Sequence, residues 1–283
     1  MSRRKMSSTE ARDLLRTYRE NNTRNSTKVV VLWQDVMKDN VHSLGSEKFA
    51  VIEQAYIAAL DTQRMDIANE CYKALSHEFP GSLRVKKLGA MQLEAVEKYE
   101  EAMDLLDSII KVDKANSACR KRKVAIYKAQ GRIPAAIKEL TDYLKIFAAD
   151  AEGWQELSEL YISECDWQKA AFCLEELILH NPHNHLLYQR YAEIKYTQGG
   201  AENFESAMKY YYLAVKLCPK NLRACYGLYL CAINLGALTK SSAEKKSTYA
   251  AIAKHAMTKV QSIYANKQAD VTALNECFSA LQM

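Results

Sequence analysis

Three histidines, His180, His183 and His185, fall within the segment HNPHNH and resemble a metal-binding tract. A zinc site needs three or four such ligands converging on one point. No Cys, Asp or Glu stands at ligand spacing beside them, and Pro182 interrupts any helical phase, so the segment reads as a turn with diverging side chains. Eight cysteines include no C-x-x-C pair. Most lie among apolar helical positions, where a free thiol packs as a small hydrophobe. Glu175 and Glu176 are neighbours on a helix and cannot face each other across a substrate. There is no phosphate-cradling glycine loop, no G-x-S-x-G and no H-E-x-x-H. The sequence therefore predicts no catalytic residues, no cofactor and no metal: a protein that is not an enzyme.

The run Arg120-Lys121-Arg122-Lys123 could serve phosphates, but on a helix its four side chains point in four directions. Arg120 and Lys123 fall on packing-side positions where long stems snorkel. No aromatic residues interleave for base stacking, so nucleic acid is not an expected partner. Asn21 and Asn25 begin N-x-T sequons; Asn25 reads better as a helix N-cap.

These groups must be carried by helices. The 283 residues are 48% hydrophobic and 26% charged, with only 9 Gly and 4 Pro, a balance that favours an all-α protein. Eight basic and three acidic residues within 1–28 account for the whole net charge of +5, leaving the remainder neutral. That basic start reads as a solvated segment leading into a helix, although it could also lie near anionic lipid or an acidic partner. The opening MSRRKMSSTEARDLL has no apolar stretch behind its basic residues, so no signal peptide is expected. No run of apolar residues is long enough to span a bilayer. With the unpaired cysteines, this points to a reducing compartment.

Self-similarity organises the chain. Residues 151–184 match the tetratricopeptide pattern at Trp154, Leu157, Tyr161, Ala170 and Pro182, with small Ser158 where Gly or Ala is preferred. Each such repeat is two antiparallel helices. Small residues at the eighth and twentieth positions let them cross closely, and large ones at the fourth, seventh, eleventh and twenty-fourth fill the space between. The phase runs back without a gap through 117–150, 83–116 and 49–82. It runs forward into 185–221, where three extra residues are expected near Gln198–Asn203 as a longer turn at Gly199-Gly200. The expected organisation is therefore a basic amino-terminal segment with capping helices (1–48), five tetratricopeptide repeats (49–221), and a degenerate repeat with carboxy-terminal capping helices (222–283). In that last part Glu244–Tyr264 forms a long helix, and Asp270 caps another ending near Leu281. The fold class is an all-α, right-handed tetratricopeptide solenoid with irregular ends, as terminal repeats require.

In this architecture the first helix of each repeat lines the inner face, at its second, fifth, ninth and twelfth positions. The middle of that groove presents Arg84, Lys87, Lys121 and Lys128. The next section presents Glu159 and Glu193, and the end presents Tyr196, Tyr226, Leu230 and Ile233. Either the last helix folds back over the apolar end or a partner helix lies there. The ninth positions are Ile57, Met91, Ala125, Glu159 and Glu193. None is the Asn with which chaperone-tail receptors clamp a carboxylate, so an acidic chaperone tail is not an expected ligand.

Four segments carry a resemblance to one family: 58–88 (AALDTQRMDIANECYKALSHEFPGSLRVKKL), 119–131 (CRKRKVAIYKAQG), 159–177 (ELYISECDWQKAAFCLEEL) and 181–200 (NPHNHLLYQRYAEIKYTQGG). Over about residues 45–235 the chain resembles the second subunit of the endoplasmic reticulum membrane protein complex. The 37-residue fifth repeat, ending its first helix in QGG, is the most specific part. The resemblance implies a non-catalytic scaffold on the cytosolic face of the endoplasmic reticulum membrane. It would organise membrane-embedded and soluble subunits of an insertase for transmembrane segments, its own membrane association being indirect, through those partners. A free adaptor or co-chaperone of the same fold is the other reading.

Overall fold

In the computed structural model the described residues are 6–238 and 243–265, with Thr272, Glu276, Ser279 and Ala280. Arg3, Arg4, Lys5, Asp270, Cys277 and Leu281 lie outside them. The described residues contain helices and no strand. The chain divides into two compact units, Met1–Arg132 and Ile133–Met283.

The amino-terminal unit begins with α1 (Ser8–Glu20), held by a capping box: Ser7 Oγ accepts from Glu10 N at 3.2 Å, and Ser7 N donates to Glu10 Oε2 at 3.0 Å. α2 (Ser26–Leu32) runs on through a π turn (Trp33–Met37) into a 3₁₀ segment (Lys38–Glu47), which Gly45 interrupts at φ 54°. Asn25 precedes α2, but its side chain makes no capping bond. Regular pairing follows: α3 (Lys48–Asp61) with α4 (Met65–Glu78), then α5 (Leu83–Ala95) with α6 (Tyr99–Val112), then α7 (Ser117–Ala129). Tyr56 stands at an eighth position meant for a small residue. It fits because Ala55 and Ala59 beside it are small, and its hydroxyl donates to Leu88 O of the next pair at 2.6 Å. Gly89 is reciprocal: a Cβ there would sit 2.8 Å from the Tyr72 hydroxyl, so the large residue comes from the preceding helix.

The carboxy-terminal unit consists of α8 (Ile133–Ile146), α9 (Ala151–Ser163), α10 (Trp167–His180), α11 (His185–Gln198), α12 (Ala201–Leu217), α13 (Leu222–Leu238) and α14 (Ala243–Ala265). Asp150, Asp166, Asn184 and Asn221 cap α9, α10, α11 and α13 through side-chain bonds to backbone N–H groups. At the twentieth positions, Ala136, Ala170 and Ala207 are completely buried, as are Ala68 and Ala102 in the other unit. A much larger side chain there would push the paired helices apart.

A period of 34 residues recurs in the backbone itself. Gln63, Glu97, Gly131 and Cys165 all hold the left-handed conformation, at φ 57°, 60°, 70° and 58°. Each sits two residues past the last residue of its helix, just after the C-cap. The N–H that follows it returns to a carbonyl of the last turn, at 2.8 Å for Arg64 to Ala59 and 2.9 Å for Asp166 to Tyr161. The fifth such turn is Gly199 with Gly200, at φ 71° and 87°. It differs from the longer turn expected from the sequence. Two glycines reverse the chain at once, and the extra length enters α12, which has 17 residues where α10 has 14.

A candidate partner-binding surface

Two of the charges expected in a basic zone followed by an acidic one, Arg84 and Glu193, are paired across neighbouring first helices. In the amino-terminal unit the Arg84 guanidinium on α5 grips Glu53 on α3, with Nη2 at 2.6 Å from Oε2 and Nε at 3.1 Å from Oε1. Arg122 on α7 reaches Glu94 on α5 at 2.5 Å. In the carboxy-terminal unit Arg223 on α13 reaches Glu193 on α11 at 2.5 Å, where Arg190 and Gln189 also donate. The same device thus recurs three times, a carboxylate on one first helix and an arginine on the next. It offsets the charges of Arg84 and Glu193 with a partner on the adjacent first helix. Lys87 and Lys121 are half-buried and Lys128 is exposed, while Glu159 is exposed on α9 and accepts from Gln155 at 3.3 Å.

Glu94 is largely buried. Burial raises its carboxyl above the usual range, against the charge and hydrogen bond of Arg122. Its Oε1 is buried without a hydrogen-bond partner. It borders a cavity of about 290 Å³ whose other walls include Leu60, Asp61, Met91 and Tyr99. A second cavity, of about 410 Å³, opens where the turn after α1 meets α3, beside Arg19, Arg24, Asp61 and Arg84. Arg24 there holds Asp61 at 2.5 Å, which with Ser26 pulls that carboxyl below its usual range.

At the other end, Tyr196, Tyr226, Leu230 and Ile233 are half-buried around one apolar cluster. The described part of the carboxy-terminal region, α14, folds back antiparallel on α13. The Tyr226 and Tyr264 hydroxyls meet at 3.4 Å, and Asn234 Nδ2 donates to the Tyr196 hydroxyl at 2.8 Å. A cavity of about 690 Å³ remains between Ile233 and Gly236 on one helix and Lys246, Tyr249 and Met257 on the other. Of the pattern residues, Leu157 and Ala170 are buried, Trp154 Nε1 donates to Ala148 O at 2.8 Å, and Tyr161 is half-buried. Pro182 is exposed in the turn, where its carbonyl accepts from the Tyr188 hydroxyl at 2.9 Å.

The histidines do not converge. His180 and His183 are exposed, and His185 Nδ1 accepts from Asn221 Nδ2 at 2.9 Å. Burial pushes the thiols of Cys71, Cys173 and Cys231 up to about 12, which keeps them protonated and unreactive. Lys123, expected on a packing side, keeps its stem buried and reaches Asp107 at 2.9 Å, and Arg120 Nε donates to Lys114 O at 3.3 Å. The pairings of Arg84 with Glu53 and of Arg122 with Glu94 are not legible in the sequence alone. Their only sequence signal is opposite charge on successive first helices.

Successive helix pairs, buried twentieth-position alanines and a recurring left-handed turn define a helical-repeat protein of the tetratricopeptide class. A solved structure of the same class agrees: the C-terminal part of a TPR repeat-containing protein from Cytophaga hutchinsonii, at TM-score 0.60 and 12% identity, covers 93% of this chain and 98% of its own. A family model described as the EMC2 TPR-like repeat domain matches residues 77–209. ER membrane protein complex subunit 2 from Xenopus tropicalis is 44% identical over 281 residues, spanning 97% of this chain and 95% of that protein. The Dictyostelium discoideum protein of the same name is 34% identical over 73% of this chain and 65% of its own length. The TPR repeat protein oca3 of Schizosaccharomyces pombe is 30% identical over 70% of this chain and 71% of its own. The chain belongs to the ER membrane protein complex subunit 2 family. Among the described residues no helix is long and apolar enough to cross a membrane.

Proposed function

We propose that this chain is a non-catalytic scaffold of the endoplasmic reticulum membrane protein complex, placed on the cytosolic face and held to the membrane by its partner subunits. It organises membrane-embedded and soluble subunits of an insertase for transmembrane segments. The observation that carries this reading is the likeness to subunit 2 over nearly the whole length of both proteins. Partner segments lie along the first-helix face. Lys87, Lys121 and Lys128 serve one section, Arg84, Glu159 and Glu193 supply polar contacts, and Tyr196, Tyr226, Leu230 and Ile233 form an apolar seat partly filled by α14. Because Arg84 and Glu193 are already paired, a partner there adds hydrogen bonds to an existing ion pair instead of meeting a bare charge.

Affinity purification of the tagged full chain from detergent-solubilised membranes tests this. Stable co-recovery of integral membrane subunits supports the scaffold. Recovery with soluble chaperones and no integral membrane protein would instead support the adaptor reading and overturn this one.

A further inference from the structure

The outer face of α12 carries a pattern that its packing does not use. Ala207, Tyr211, Ala214 and Val215 are buried on one side of the helix. On the opposite side, at spacings of three and four residues, lie Lys209, Tyr212, Leu213, Lys216 and Leu217, followed by Lys220 in the turn. All are exposed, Tyr212 at 53%, Leu213 at 38% and Leu217 at 41%. An aromatic and two leucines open to water, flanked by three lysines, make a helix face that is amphipathic in its own right. The start of α12 does hold acids, Glu202 and Glu205, but Glu205 is engaged by the Tyr249 hydroxyl at 3.0 Å. From residue 206 to residue 243 the sequence has no Asp or Glu.

We infer that this face rests on the headgroup region of an anionic lipid bilayer. The chemistry is complementary in two respects. Lysines meet lipid phosphates and carboxylates, each adding favourable free energy near a negatively charged leaflet. Tyr212, Leu213 and Leu217 enter the interfacial layer, where an amphipathic tyrosine ring and short apolar stems are well accommodated. Such a contact is weak alone. It adds to attachment through partner subunits and orients the chain against the membrane, a property beyond the scaffold reading. An acidic protein surface would satisfy the lysines but would not account for the apolar stripe between them.

The test uses the full chain with phosphatidylcholine vesicles, with and without phosphatidylserine, in a flotation assay. The expected result is binding that requires phosphatidylserine and falls with salt. The triple variant Lys209→Gln, Lys216→Gln, Lys220→Gln should lose about two orders of magnitude in partitioning, from the contribution of each lysine. These side chains are exposed, and an unchanged circular dichroism spectrum establishes that the variant is folded. Tyr212→Trp should shift its emission to the blue on phosphatidylserine vesicles. Partitioning of the triple variant equal to that of the parent, absence of parent binding to either vesicle, or binding of poly-glutamate in place of vesicles would each overturn the proposal. Loss of lipid binding leaves co-recovery of partner subunits untouched, so the two readings fail separately.

Discussion

Two glycines on α13 should respond to the same substitution with opposite signs. At Gly227 a Cβ would stand 2.3 Å from Tyr211 Cζ and 2.4 and 2.6 Å from the two Cε atoms, because the Tyr211 ring lies flat across the glycine. Both residues are buried, so the ring has nowhere to withdraw. At Gly236 nothing lies within 4 Å of the added carbon. Replacing a helical Gly by Ala is worth about 1 kcal/mol in backbone propensity. Overpacking a filled core costs about 1–3 kcal/mol, and a clash with three ring atoms belongs at the upper end. Gly236→Ala should therefore stabilise the carboxy-terminal unit by about 1 kcal/mol and Gly227→Ala destabilise it by about 2 kcal/mol. Urea unfolding followed by the fluorescence of Trp154 and Trp167, both in that unit, reads the difference. Tyr211→Leu, which removes the ring, should relieve part of the penalty in the double variant and so report coupling between the pair. If Gly227→Ala proves as stable as Gly236→Ala, the close approach described here is not how these helices pack.

The left-handed turns offer a second test: Gln63→Gly, Glu97→Gly and Cys165→Gly should each stabilise by about 1 kcal/mol, the cost of a Cβ in that conformation, and unmoved denaturation midpoints would count against it. Ala170→Arg should cost at least about 2 kcal/mol from overpacking and a buried charge, whereas Ala170→Ser should be tolerated; an arginine variant melting with the parent would mean that Ala170 is not at a close helix crossing. Acid should loosen the amino-terminal end first. Glu47, whose carboxyl is lowered chiefly by its bond from Arg16, and Asp61, lowered chiefly by Arg24, tie α1 and the turn after it to the start and end of α3. A lowered folded pKa contributes stability that is present above the ordinary carboxylate range and lost as pH falls through the lowered value. Protection factors of the α1 amides, corrected for the intrinsic slowing of exchange in acid, should fall on acidification before those of α5 and α6, and simultaneous loss would contradict it.

Some of this architecture is written in residue types. Alanines 68, 102, 136, 170 and 207, with Trp154, Leu157 and Pro182, are repeated local requirements of one helix pair, so their spacing states the all-α repeat fold without any knowledge of distant contacts. The turn at Gly131 is legible for the same reason, since glycine suits the left-handed region. Its equivalents at Gln63, Glu97 and Cys165 are hidden, because the surrounding helix ends impose that conformation on residues that do not favour it.

What sequence by itself determined was therefore the period, the helix pairs and which residues belong to first helices. The tertiary structure decided the rest. It set Arg84 on Glu53, Arg122 on Glu94 and Arg223 on Glu193, pairs across helices that sequence position does not reveal. It laid Tyr211 over Gly227, put the extra residues of the fifth pair into α12, and folded α14 back onto α13. The physical reason is range. A helical period needs only the next turn of the same chain, whereas ion pairing and ring packing depend on the distance between helices some thirty residues apart, which the filled core alone fixes.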